Sequence, residues 1–249
     1  MKKRVYRAGV MLSLAAAAAA VTLILSENML RWLLVQEIAK WPDTARLIAS
    51  GVGGYLLGSI PFGFIIIGVL RERDIRDAGS GRIGGTNAMR AGGLGAATLT
   101  VVGDLLKGYA GVAFARLVLP GNLWAEVLGG WGVILGHNAS IYLAFRGGAG
   151  TAPNIGVAAA YWLPSLIFTL PFFPVGMFVI RIASLTSLIV GLAIPILFAV
   201  RALLGQGPWE YAAYGGGALL LVAYALRPNI ERLIKGTEST VEVTVLPEE

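Results

Sequence analysis

The stretch Leu47-Ile-Ala-Ser-Gly-Val-Gly-Gly-Tyr-Leu-Leu-Gly-Ser-Ile-Pro-Phe-Gly-Phe-Ile-Ile-Ile-Gly-Val-Leu70 carries no charged residue. A helix needs about 20 mainly apolar residues to cross the hydrocarbon core of a bilayer, and this run reads as such a crossing. The rest of the chain has the same character. Of its 249 residues, 56% are hydrophobic and only 14% charged, and the mean hydropathy is +0.73. A soluble domain carries about a quarter charged residues, so there is too little polarity here to cover a water-facing surface. Disorder is excluded by the same numbers, since it needs low hydrophobicity and high charge. With no cysteine, a disulfide scaffold and a cysteine-based metal site are excluded as well. The sequence predicts a glycine-rich, polytopic, all-α membrane helix bundle.

Further crossings are expected at Ala8 to Ser26, Gly92 to Leu119, Leu123 to Phe145, Ala152 to Leu163, Ser165 to Ile180, Ser184 to Leu203 and Trp209 to Leu226. The first follows Lys2, Lys3, Arg4 and Arg7 and also has the form of a signal peptide; an uncleaved span is the favoured reading. Glu27 to Arg46, with Trp32 and Trp41, suits the membrane interface. Gly54-x-x-x-Gly58 and Gly132-x-x-x-Gly136 have the spacing that lets helices approach closely. The tail from Thr240 to Val245 alternates Thr, Val and Glu like a strand, has no visible partner and is expected to be a mobile end.

With the N-terminus inside, fourteen basic residues fall in inside connections: Lys2, Lys3, Arg4, Arg7, Arg71, Arg73, Arg76, Arg82, Arg90, Arg146, Arg181, Arg227, Arg232 and Lys235. Only three, Arg31, Lys40 and Arg46, fall outside. The positive-inside rule thus accounts for much of the net charge of +6, and no nucleic-acid partner is needed. Both termini are expected in the cytoplasm.

The inside face holds the chemistry. Gly79-Ser80-Gly81-Arg82-Ile83-Gly84 fits G-x-G-x-x-G, but a dinucleotide fingerprint requires a strand before it, and here a membrane helix precedes it. Glycine-rich backbone still exposes N–H groups to an anion, and Ser80 and Thr86 add hydroxyls. Arg82 and Arg90 can hold phosphate by bidentate, charge-assisted bonds; the bland reading is a flexible turn with solvated arginines. Gly147-Gly148-Ala149-Gly150 follows Arg146, and reads either as a phosphate cradle or as a tight turn. His137 is the only histidine, so a multi-histidine metal site is excluded; a structural hydrogen bond is its commoner role. Asp104 and Lys107, one helical turn apart inside a span, read first as a structural ion pair. Ser184 and Ser187 open a helix and read as caps or as part of an anion site. The shared theme is binding of phosphorylated compounds at one membrane face.

In order along residues 46 to 238, the chain resembles the bacterial acyl-phosphate:glycerol-3-phosphate acyltransferase family. The resemblance rests on Gly58-Ser59-Ile60-Pro61-Phe62-Gly63, the Gly79 to Arg90 loop, Asp104-Leu105-Leu106-Lys107-Gly108 and Gly136-His137. It continues through Arg146 to Gly150, Ser184-Leu185-Thr186-Ser187, and Asn229 to Glu238. It implies a seven-helix unit, to which the first span is an addition within residues 1–45, and a tail at 239–249. It also implies acyl transfer from acyl phosphate to the 1-hydroxyl of glycerol 3-phosphate, with no cofactor or metal. By position, Ser80, Thr86, Asn87 and Arg90 would bind phosphate, and Gly147, Gly148 and Gly150 would cradle the acyl phosphate. Ser184 and Ser187 would add hydroxyls, and Asn229 would orient a substrate. No dedicated nucleophile is implied; positioning and electrostatics supply the catalysis.

The chain departs from the family pattern at several positions. Ala149 stands at the family's lysine, Leu226 where a histidine is common, and Arg82 at the usual asparagine of Gly-Ser-Gly-Asn. Gly85 replaces an alanine, and Thr151-Ala152-Pro153 replaces Val-Ala-Thr. Two outcomes are expected: either Arg82 or Arg146 supplies the missing charge, or the chain binds phosphorylated lipid without turnover. A transporter of an anionic solute is the reading from another class.

Overall fold

A computed structural model describes residues 35–241, together with the isolated positions Met11 and Ala15. The expected span at Ala8 to Ser26, apart from those two positions, and residues 27–34 of the interfacial segment lie outside the described residues. The described chain is helical, with no strand among the described residues. The helices are α1 (Asp43–Gly58), α2 (Phe62–Arg71), α3 (Gly85–Val118), α4 (Leu123–Asn138) and α5 (Thr151–Tyr161). They continue as α6 (Ser165–Thr169), α7 (Ala183–Leu203), α8 (Trp209–Ala225) and α9 (Arg227–Ile234). Large apolar side chains such as Ile48, Leu106, Ile167, Leu192 and Leu220 face outward, as a lipid-facing surface requires.

The opening stretch is two helices rather than one. Pro61 has no N–H to continue the ladder, and the chain breaks between Gly58 and Phe62. Non-helical backbone at membrane depth must find partners inside the protein. Two of the freed carbonyls do: Ser140 Oγ donates to the Ser59 oxygen at 2.5 Å, and Lys107 Nζ donates to the Ile60 oxygen at 2.8 Å. α4 stops at Asn138, short of the expected Phe145: Ala139 leaves the helical region at φ −133°, ψ 69°, and Ala144 and Phe145 are left-handed. The expected span at Ser165 to Ile180 is broken into α6, a short turn at Phe172–Pro174 and a π-helical turn, Val175–Ile180. α3 begins at Gly85, earlier than expected, so Thr86 to Arg90 are helical rather than loop. Its 34 residues would exceed the bilayer core, and Gly93, at φ 84°, kinks it.

Glycines bring the helices together. Lipid gives helices no hydrophobic reason to associate, so close packing must do so. α1 packs most extensively on α4. A Cβ at Gly54 or Gly58 would run into the carbonyl oxygens of Gly129 or Val133, and one at Gly132 or Gly136 into those of Gly51 or Tyr55. The two spaced glycine pairs therefore face each other. α3 and α5 repeat the device through Gly108 and Gly156, which approach the carbonyls of Pro153 and Leu105.

Two arginines within expected spans lie near connections expected outside, and narrow the expected asymmetry. Arg116 pairs with Glu126 at 2.8 Å in the first turn of α4. Arg201 donates to the Gln206 carbonyl and stacks on Trp162. The tail also differs from expectation: Val241 is buried, and its N–H donates to the Arg181 oxygen at 2.6 Å.

Candidate active site

The helix packing draws three helix N-termini, those of α3, α5 and α7, to one cavity of about 140 Å³. Gly84, Gly85 and Thr86 line it from α3, Gly150, Thr151 and Ala152 from α5, and Ala183 and Ser184 from α7. None of the three has a side-chain cap at its N-terminus. Such an end carries about half a positive charge and unsatisfied N–H groups, so three together form an anion site. Gly150 suits its position because φ there is 91°. The serines of α7 are not caps: Ser184 Oγ donates to Glu238 Oε1 at 3.0 Å, and Ser187 Oγ donates to the Ala183 oxygen at 2.9 Å. Thr151 Oγ1 donates to Ser187 Oγ at 2.7 Å, joining α5 to α7.

Arg82 crosses the site. Its Nη2 donates to the Ala225 oxygen at 2.7 Å and to Asn229 Oδ1 at 2.9 Å, and its Nη1 to the Gly148 oxygen at 3.4 Å. All three acceptors are neutral, and burial, with Arg232 adding to it, pushes the guanidinium below its ordinary value despite Glu238. Among the described residues, Arg90 donates only to the Thr240 oxygen, at 3.4 Å. Among the described residues, neither cavity arginine has a carboxylate ion-pair partner.

Glu238 organises the far wall and was absent from the expected site residues. It accepts from Ser184, from Asn229 Nδ2 at 2.7 Å and from Arg232 Nε at 2.7 Å. Burial opposes its ionisation, yet these three bonds outweigh burial and hold the carboxyl below its ordinary value. The sequence signal was Gly236, a left-handed residue at φ 68° just past α9 that returns the chain toward the helix it left.

The expected residues divide. Ser80, Thr86, Arg82, Arg90, Gly150, Ser184, Ser187 and Asn229 line the cavity, and so do Asp104, His137 and Ala149. Asn87 touches it, but its amide is committed to the loop: Nδ2 donates to the oxygens of Ile75, Ala78 and Arg82 at 2.7–3.0 Å, and Oδ1 accepts from Ser80 N–H. Gly147 and Gly148 do not line it. A Cβ at either would strike His137, and Gly148 N–H donates to the His137 oxygen at 2.9 Å; these glycines let the loop lie on the end of α4. Arg146 is exposed and outside the cavity, so of the two arginines considered for the missing charge only Arg82 reaches the site. Lys107 is also outside, held by Asp104 at 2.9 Å and by the Ile60 carbonyl. His137 Nδ1 lies 3.6 Å from Asp104 Oδ1, in the cavity wall.

These features define an integral membrane helix bundle whose helix N-termini and arginines converge on one cavity. The pattern of the family described as glycerol-3-phosphate acyltransferase matches residues 48–236, and the chain belongs to that family. A glycerol-3-phosphate acyltransferase of Nitrobacter winogradskyi is 39% identical over 189 residues, 76% of this chain and 92% of the relative. One from a Synechococcus strain is 36% identical over 201 residues, 80% of this chain and 96% of the relative. The crystal structure of PlsY (YgiH), an integral membrane glycerol 3-phosphate acyltransferase, in its glycerol 3-phosphate form is similar at a TM-score of 0.69 and 29% identity, covering 81% of this chain and 99% of that one. Its lysophosphatidic acid form gives 0.64 at 29% identity, covering 79% and 96%.

Proposed function

We propose that the protein transfers a fatty acyl group from an acyl phosphate to the 1-hydroxyl of glycerol 3-phosphate. The carrying observation is the convergence of three uncapped helix N-termini with Arg82 and Arg90 on one cavity. The hydroxyl oxygen attacks the acyl carbonyl carbon, the bond from that carbon to the phosphate oxygen breaks, and the hydroxyl proton passes to a phosphate oxygen. Lysophosphatidic acid and inorganic phosphate leave. Arg90 and the N-terminus of α3 hold the acceptor phosphate, with Ser80 and Thr86 beside them. Arg82, Ser184, Ser187 and the N-termini of α5 and α7 hold the donor phosphate and stabilise the charge it gains on leaving. Asn229 orients the acceptor.

On this reading residues 46–238 form the catalytic unit, with 1–45 and 239–249 as additions. The arginine-rich end faces the cytoplasm of a bacterial inner membrane, which supplies the lipid surroundings. Ala149 carries the second reading, a family member that binds phosphorylated lipid or donor without turnover. Phosphate release from acyl phosphate by purified protein, with and without glycerol 3-phosphate, separates the two. Acceptor-dependent release with lysophosphatidic acid as product, lost in Arg90→Ala, is the expected result; retained phosphate binding with no turnover at high enzyme concentration supports the second.

A further inference from the structure

The family match ends at residue 236, yet the next five residues are built into the site. Ser239 and Val241 line the cavity with Glu238. Val241 is only 1% exposed; its N–H donates to the Arg181 oxygen, and its own oxygen accepts from Arg181 Nε at 3.4 Å. Between these anchors, the Thr240 carbonyl takes the one hydrogen bond that Arg90 makes among the described residues. The segment is anchored at both ends, at Glu238 and at Val241, and its weak contact lies between them. Glu238 has three donors, two of them at 2.7 Å. The contact with Arg90 is long, exposed and made to a neutral oxygen.

We propose that residues 239–241 are a strap that phosphate displaces: closed, it lies on Arg90 through the Thr240 carbonyl, and it swings away about Glu238, giving up its two bonds to Arg181, when a phosphate takes the guanidinium. A phosphate offers Arg90 short, bidentate, charge-assisted bonds that a backbone carbonyl cannot match. The strap therefore competes with the acceptor for the same side chain. Every closed molecule must open before it binds, so the strap sets the apparent affinity for the phosphorylated acceptor. This last consequence rests on the acyltransferase reading; the displacement itself does not.

The chain has no cysteine, so Val241→Cys gives a single reporter thiol. Maleimide labelling of that full-length variant is followed with and without inorganic phosphate. Phosphate is expected to speed labelling saturably, and in Arg90→Ala/Val241→Cys labelling is expected to be fast and indifferent to phosphate. Labelling of Val241→Cys that phosphate leaves unchanged or slows overturns the proposal, since the strap would then be fixed or close over the anion. A chain ending at Glu238 is compared with the full chain in acyl transfer. Its KM for glycerol 3-phosphate is expected to fall roughly 3- to 10-fold, the factor removed when a strap closed about 70–90% of the time is deleted, with kcat little changed. An unchanged or raised KM overturns the strap's role in acceptor affinity. Absence of acyl transfer by the full chain counts against the function instead, and the labelling, which needs only inorganic phosphate, still decides the displacement.

Discussion

Arg82→Ala, Ala149→Lys and the double variant test whether Arg82 serves the phosphate site. Arg82 Nη1 lies 3.4 Å from the Gly148 oxygen, one residue before Ala149, which lines the cavity. Removing one positioned electrostatic donor costs about 10²–10³ in rate, about 2.7–4 kcal/mol, and that is the loss expected in kcat for Arg82→Ala. A lysine at 149 places a second cation against the first. Two unit charges about 6 Å apart repel by about 3 kcal/mol at an effective dielectric of about 20. Ala149→Lys alone is therefore expected to leave the rate unchanged or lower it. In the Arg82→Ala background the repulsion is gone, and the same lysine is expected to recover at least about tenfold of the lost rate.

The assay is phosphate release coupled to lysophosphatidic acid formation. Thermal unfolding is run alongside, because Arg82→Ala also strips the Ala225 and Asn229 oxygens of a donor. The double-mutant cycle isolates the pair. If Arg82→Ala keeps half its activity, or if Ala149→Lys helps equally in both backgrounds, the assignment of Arg82 to the phosphate site is wrong.

Gly132→Leu drives a side chain into the Gly51 carbonyl; overpacking of this kind costs about 1–3 kcal/mol or more. A clear drop in unfolding temperature is expected, whereas Gly216→Ala, where an added Cβ meets nothing within 4 Å, is expected to be neutral or slightly stabilising. Lys107→Met leaves Asp104 buried and unpaired, a change worth about 3–5 kcal/mol; adding Asp104→Leu is expected to restore much of the loss in denaturation measurements. Glu238 titrates below its ordinary value of 4.5 in the folded chain, so its contribution to stability is complete above that value and fades as pH falls through the depressed one. Glu238→Gln is thus expected to unfold at a lower temperature than the parent at pH 7, with the gap closing in acid; a gap independent of pH counts against the charge-assisted bonds.

Helix identity was legible because a run of some 20 uncharged apolar residues has few other uses. The breaks were not. Hydropathy carries the reader straight through Ser59-Ile60-Pro61 and through Ile141 to Phe145, since those residues are as apolar as their neighbours. What permits the first break is a pair of donors, Ser140 and Lys107, lying 81 and 47 residues away. The arginines and serines of the site were readable from residue type and position. The partners of Thr240 and Val241 were not, because they sit on Arg90 and Arg181, 150 and 60 residues distant. Gly147 and Gly148 were read for their N–H groups, and the structure uses them for their missing side chains against His137. Lys107 followed the bland reading of an ion pair, with one addition: it also holds the Ile60 carbonyl.

The low charge of the chain and its handling of phosphate are reconciled by the helix ends. Two of the acidic groups at the cavity are internally balanced, Asp104 by Lys107 and Glu238 by Arg232. That leaves Arg82 and Arg90, with two full charges, and three uncapped N-termini of about half a charge each, or roughly +3.5 in all. A phosphate monoester brings about −1.5 to −2 near neutral pH. In the proposed reaction, two phosphate groups, one on each substrate, would therefore meet nearly equal opposite charge with no lysine at position 149. The glycines that let α1 lie on α4 and α3 on α5 belong to the same bundle that brings these ends to one point. In this bundle close packing substitutes for ionised side chains, which would be costly to bury in a membrane.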